Sequence, residues 1–395
     1  MTLGQSFQSV ATIVPSHSHL NDKSPRCYED IKAKHAKCTR LGLNTVPQYL
    51  PGEIEGLNLQ RNNITSLLNS SFQRYPKIAY LDLSFNYIRV IESSAFHPLK
   101  GLIKLALSWN PNLVLQDAGL FKWSRRLSYL TFLNSNLRSI PDDIIAWSIN
   151  MDKLELRGNL LTTVNITSCG RAKTVQLSHN NIASITKDAF NFFCNCDTLY
   201  LERNPIISVD PNLISSLLIR SLVLGYRELN IQALKNLSVG ISLSAISSFS
   251  FISGADLSLI PMDLFDPLRN SSLRALNLSN NNIHILHRSI FSNLTTISHF
   301  NLNLNRIVKV EPFFFEGMDK LRVLDLRLCE IEDINTYNLT WTIDLTELDL
   351  SSNLLIEINH NTFRGLHNLR LLNLADNAFL WKVKADTFTE IQSIE

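Results

Sequence analysis

The sequence predicts an α/β solenoid, a right-handed superhelix with a parallel β-sheet on its concave face, and two periodic residues carry that expectation. The first is asparagine: Asn62, Asn86, Asn110, Asn159, Asn180, Asn204, Asn281, Asn305, Asn353 and Asn377 each close a Leu-x-x-Leu-x-Leu-x-x-Asn pattern, mostly at 24-residue intervals. The second is phenylalanine: Phe72, Phe96, Phe190, Phe265, Phe291, Phe315 and Phe363 follow the asparagine position by ten residues, and Phe121 and Phe388 by eleven. Self-similarity at this period marks a stack of coils that bury their faces only against one another.

Each position in the repeat has a physical role. In Leu81-Asp-Leu83, Leu276-Asn-Leu278 and Leu348-Asp-Leu350 leucines alternate with polar residues, the pattern of a half-buried strand, so each coil is expected to supply one short parallel strand. The asparagine follows where the chain turns away, and its amide can satisfy backbone groups that the turn leaves unpaired. The phenylalanine fills the depth between the strand and the outer side of the coil. The result is a leucine-rich-repeat horseshoe.

Fourteen such positions are expected, at residues 62, 86, 110, 135, 159, 180, 204, 227, 255, 281, 305, 329, 353 and 377. Ser135 and Cys329 can still hydrogen-bond weakly in the asparagine position, whereas Arg227 and Ala255 cannot take its place. Spacing also stretches there, to 28 and then 26 residues, so the array is expected to be irregular over 227–262. Domain organisation reads as an unassigned segment 1–26, a cysteine cap 27–53 and one solenoid 54–395. Composition is that of a folded chain: 45% apolar, with a formal charge of +2 that does not single out nucleic acid as a partner.

The ends and cysteines suggest an extracellular chain. Cys27 and Cys38, followed by Val46-Pro47 and Leu50-Pro51, have the form of a disulfide-closed flap over the first coil. Cys169 and Cys194 precede their next repeat positions by eleven and ten residues, which predicts a second bond between adjacent coils about 5 Å apart. Cys196 and Cys329 occupy template positions and are expected as buried thiols. Val10 to Val14 is too short an apolar run for a signal core, and no stretch of about 20 apolar residues is present to span a membrane. The sequence stops in the fourteenth coil without a cysteine-rich closing cap, as expected of a fragment.

Taken together, the 24-residue repeats with their deep phenylalanine, the Cys27/Cys38 cap and the irregular repeats around 227–255 resemble the ectodomain of a Toll-like receptor over residues 27 to 395. The resemblance implies a type I membrane receptor of innate immunity that binds a microbial or endogenous ligand, homo- or heterodimerises, and signals through a cytoplasmic Toll/interleukin-1 receptor domain. Its location would be the extracellular side of the plasma membrane or the endosomal lumen, with the membrane reached through a segment outside this sequence. A secreted or cell-surface adhesion or matrix protein is the alternative. No cofactor, metal or catalytic motif is indicated: there is no Gly-rich phosphate loop, His-Glu-x-x-His or Gly-x-Ser-x-Gly.

Candidate ligand-binding residues lie between the leucines or just after them. Tyr80, Phe85, Trp109, Tyr129 and Leu133 form one group, and Tyr200, Glu202, Arg203, Tyr226 and Arg227 a second beside the irregular segment. For Phe85 and Trp109 the competing expectation is local packing over the strand edge. Glycosylation sequons stand at Asn63, Asn69, Asn165, Asn236, Asn270, Asn277, Asn293 and Asn338, and Asn277 falls on the concave strand face. His284, His287 and His299 are expected on neighbouring coils, and Lys32, Lys34, His35, Lys37 and Arg40 form a basic run in the cap.

Overall fold

The computed structural model describes residues 26–391 except 31, 167–170, 193–194, 226–229, 254–256, 259, 289, 292–293, 335–338, 360, 385 and 390. Sixteen strands form one continuous sheet. Tyr28–Asp30 and His35–Lys37 make an antiparallel hairpin, and His35–Lys37 then pairs in parallel with Gly56–Asn58 to begin the array. Parallel pairing continues coil by coil to Leu371–Asn373. In each coil the leucine points inward: Leu57, Leu81, Leu105 and Leu348 are at most 2% exposed, while the flanking residues face the concave side. The sheet therefore presents a row of variable side chains on an invariant apolar backing.

The asparagines connect neighbouring coils. Asn86 accepts a hydrogen bond from Ile64 N at 3.1 Å and donates to Leu59 O at 3.0 Å and to Leu83 O at 2.9 Å, spanning its own coil and the one before. Asn110, Asn159, Asn204, Asn305 and Asn353 repeat the arrangement. Ser135 keeps a weaker form, donating to Leu107 O and Leu133 O at 3.3 Å, and the Cys329 thiol lies 3.5 Å from Leu302 O. The aromatic column is equally regular, with Phe72 stacked on Phe96 and Phe96 on Phe121 at 6.0 and 5.6 Å. Phe388, in the last coil, is 42% exposed instead of buried.

The interruption is built differently. Pairing of Phe249 with Leu222 on one side and Leu276 on the other puts Phe249 and Phe251 at the strand-leucine positions. This moves the ninth repeat position one residue earlier than expected, from 255 to 254; two phenylalanines where the template has leucines hid the register. Helices α1 (Pro211–Ser216) and α2 (Ile231–Ser242), followed by a short 3-10 helix at Asp266–Asn270, form the outer side of these coils, whereas among the other described residues turns and short strand pairs serve. The helical part of the α/β expectation is thus concentrated at the irregular segment. Helix α2 starts at Asn230, whose side chain accepts from Ala233 N at 2.8 Å and donates to Ile207 O of the preceding coil at 3.2 Å. At Gly225 an added Cβ would lie 1.7 Å from Ile252 O, so only glycine allows the two coils to approach.

The cap disulfide between Cys27 and Cys38 is formed. Cys196 and Cys329 are free and buried, and burial pushes both thiols up to about 11. Cys169 and Cys194 lie outside the described residues, as do Tyr226, Arg227, Asn293 and Asn338.

Candidate ligand-binding face

The residue just before the repeat position adopts a left-handed backbone: Arg61, Phe85, Trp109, Asn134, His179, Arg203 and Leu304 all have φ between 50° and 59°. This conformation suits asparagine or glycine and costs other residues roughly 1 kcal/mol. Its occupation by Phe85 and Trp109 therefore needs a compensating interaction. Their rings stack at 5.4 Å with planes 7° apart, and the Arg61 guanidinium lies 4.8 Å over the Phe85 ring. Local packing is thus present, yet Phe85 and Trp109 remain 39% and 44% exposed. The stack is a fixed, accessible ridge along the edge of the sheet.

Tyr80 and Tyr129 stand on the concave face, 46% and 40% exposed, and Leu133 is half-buried beside them. A cavity of about 660 Å³ opens between the cap hairpin and the first coils, lined by Tyr28, His35, Asn58, Tyr80 and Lys104 among others. The absent side chain of Gly56 makes room for the His35 ring, which lies 6.1 Å from that of Tyr80. Exposed aromatic rings are concentrated before residue 150; between there and residue 378 only Phe313 and Trp341 match them among the described residues. Arg61 and His35 were legible as members of these columns only once the register was known.

The second candidate group divides. Tyr200 and Glu202 are half-buried and Arg203 is exposed. A smaller cavity of about 180 Å³ brings Glu202 and Arg203 together with Arg157, Ser178, His179 and Gly225. Glu202 accepts a hydrogen bond from the Ser178 hydroxyl. Partial burial, then the charges of Arg203 and Arg157, hold the His179 imidazole below its usual range, against the opposing pull of Glu202. Nearby, the Lys173 ammonium and the Ser128 hydroxyl lower the Asp152 carboxyl.

Sequon positions differ in access. Asn63, Asn69 and Asn270 are exposed, whereas Asn165, Asn236 and Asn277 are half-buried. The Asn236 amide nitrogen, to which a glycan would be attached, donates to Val209 O at 2.9 Å. Asn277 lies on the concave strand, as expected, and accepts from Ser279 N. The three histidines do not form one cluster: His287 contacts Glu311 at 3.0 Å after an outer strand, and His299 contacts Ser298 at 2.9 Å on the inner one. In the cap, Lys34 is paired with Glu55 at 2.7 Å.

Comparison with known proteins agrees with this architecture. Residues 53–111, 271–331 and 321–379 match the leucine rich repeat family, and 117–212 match the BspA type leucine rich repeat region. CD180 antigen of Mus musculus is 23% identical, with 93% of this chain aligned to 56% of that protein. Toll-like receptor 3 of Boselaphus tragocamelus is 27% identical, aligned over 88% of this chain and 40% of the receptor. Podocan of Mus musculus is 25% identical over 86% of this chain and 59% of its own length. Among solved structures, the Drosophila Toll–Spatzle complex superposes with a TM-score of 0.69 at 18% identity, covering 95% of this chain and 51% of the other. The mouse RP105/MD-1 complex gives 0.58 at 20% identity, covering 91% and 71%. The chain thus spans just over half the length of CD180 and less of Toll-like receptor 3. Among the described residues no helix is long and apolar enough to cross a membrane. This chain belongs to the leucine-rich-repeat family, with an architecture of the Toll-like-receptor ectodomain type.

Proposed function

We propose that the chain is the ligand-recognising part of an innate-immune pattern-recognition receptor, and that it engages its ligand through the aromatic surface of the first coils. The observation that carries this is the ridge of Arg61, Phe85 and Trp109 beside exposed Tyr80 and Tyr129. Exposed aromatic and arginine side chains held rigidly on a scaffold are the residues that dominate binding energy at interfaces. The receptor would act at the cell surface or in the endosomal lumen and work as a homo- or heterodimer. The Toll and RP105 structures were each solved with a partner protein, Spatzle and MD-1, which supports a partner-binding role.

A matrix or adhesion role is the second reading, favoured by the similarity to podocan. The full chain, immobilised, can be offered microbial cell-wall preparations and extracellular-matrix preparations in parallel, beside a Trp109→Ser/Tyr129→Ser variant. The receptor reading expects binding to a microbial preparation, weakened at least about tenfold in the variant, with an unchanged thermal midpoint. Binding confined to matrix, or microbial binding untouched by the double substitution, would contradict it.

A further inference from the structure

We infer that the small cavity at the edge of the ladder break, between Arg157, His179 and Arg203, is a second binding site that takes a tetrahedral oxyanion, the phosphate or sulfate ester of a larger ligand. It stands apart from the aromatic ridge and does not depend on how that ridge is used.

Three successive coils build the site. His179 and Arg203 occupy the same left-handed position on adjacent coils, with φ of 56° and 55°, so their side chains leave the sheet in the same direction. Arg157 comes from the coil before, at the preceding template position. Gly225 comes from the coil after and contributes no side chain, which leaves the floor open toward Ile252 and Ser253. At about 180 Å³ the space holds a single compact group with its water, not a whole oligomer.

The charge balance favours an anion. Among the described residues the Arg203 guanidinium has no ion-pair or hydrogen-bond partner, its backbone N–H alone being bonded, to Gly225 O. Arg157 is held only at 3.9 Å by Glu155, which is more tightly bound to Lys153 at 2.7 Å. Glu202, the one carboxylate lining the cavity among the described residues, is engaged by the Ser178 hydroxyl. Among the described residues two guanidinium groups and an imidazole thus line one cavity with a single, already bonded carboxylate. Partial burial, and then its arginine neighbours, disfavour the imidazole as a cation. An oxyanion between them would reverse that, so binding and protonation of His179 should reinforce each other.

Inorganic sulfate tests this directly, because its charge is constant across the pH range in which histidine titrates. The His179 imidazole would be followed by NMR in the full chain, with and without sulfate. Sulfate should raise its titration midpoint by about half a unit or more, and binding should tighten severalfold between pH 7.5 and 5.5. Arg203→Gln and Arg157→Gln should each abolish the shift. Arg220→Gln, which removes an exposed cation 3.8 Å from Asp197 and outside the cavity, should leave it intact. A sulfated oligosaccharide and a short phosphodiester oligonucleotide, compared at equal charge, then distinguish the two ester sources by which one competes with sulfate. No change in the His179 midpoint, or a change lost equally in Arg220→Gln, would overturn the assignment.

Discussion

The coils with an asparagine and the coils without one hold together by different means. Where the asparagine is present, one buried amide satisfies backbone groups on two coils, as at Asn86 and Asn305. Over residues 205–262 no asparagine stands at the repeat position, and α1 and α2 take over with Leu213, Ile214, Leu234, Leu237 and Ile241 buried beneath them. Hydrogen bonding fixes the height of the backbone groups that meet each asparagine and so sets how adjacent coils stack. Apolar packing has no such directionality, and the longest repeats lie where the ladder stops.

The contrast sets an order of sensitivity. Asn305 accepts from Asn281 N and Ile283 N and donates to Leu278 O and Leu302 O, so Asn305→Ala strands groups on two coils and should cost about 2–4 kcal/mol. Chemical denaturation would measure it, and a loss under about 1 kcal/mol would show that water replaces the amide. In the interrupted segment the sensitive position is a close approach of helices. A Cβ at Gly240 would lie 2.5 Å from Ile214 Cβ, so Gly240→Ala should destabilise by about 1–2 kcal/mol even though alanine favours a helix. A neutral or stabilising result there would mean that the helices simply move apart.

Restoring the ladder should help where it is merely weakened. Cys329→Asn offers an amide to Leu302 O in place of a thiol, and about 1 kcal/mol of added stability is expected from thermal or denaturant melts. The smallest effect concerns pH. The folded-state pKa of His179 lies below its unfolded value, so the unfolded chain takes up that proton first. Its stabilising contribution is present above the unfolded pKa near 6.5 and is lost as pH falls through the folded one. His179→Gln should therefore lose less stability than the parent between pH 7 and 5, and an equal or greater loss would reverse the sign.

How much of this was legible beforehand follows the same division. Asparagine, leucine and phenylalanine positions are set by covalent period, so Asn86 and Phe96 announce their roles in the sequence. The register at Phe249 does not, because its identity departs from the template just where the spacing does. Trp109 and Phe85 could be placed on adjacent coils, but not the stack with Arg61, which depends on a left-handed backbone at all three. The cationic cavity was half visible: Arg203 was singled out, while His179 and Arg157 join it only when three coils are superposed.

Hydrogen–deuterium exchange across the intact chain tests the central contrast most directly. The account predicts that amides bonded to ladder asparagines, at Ile64, Ile88, Ile182, Ile283 and Ile331, are among the slowest to exchange. Amides of the interrupted coils, at Ser247 and Ile252, should open earlier and together, at a free energy below that of the flanking coils. Equal protection on both sides and across the interruption would contradict it, because the array would then unfold as one unit whatever joins its coils.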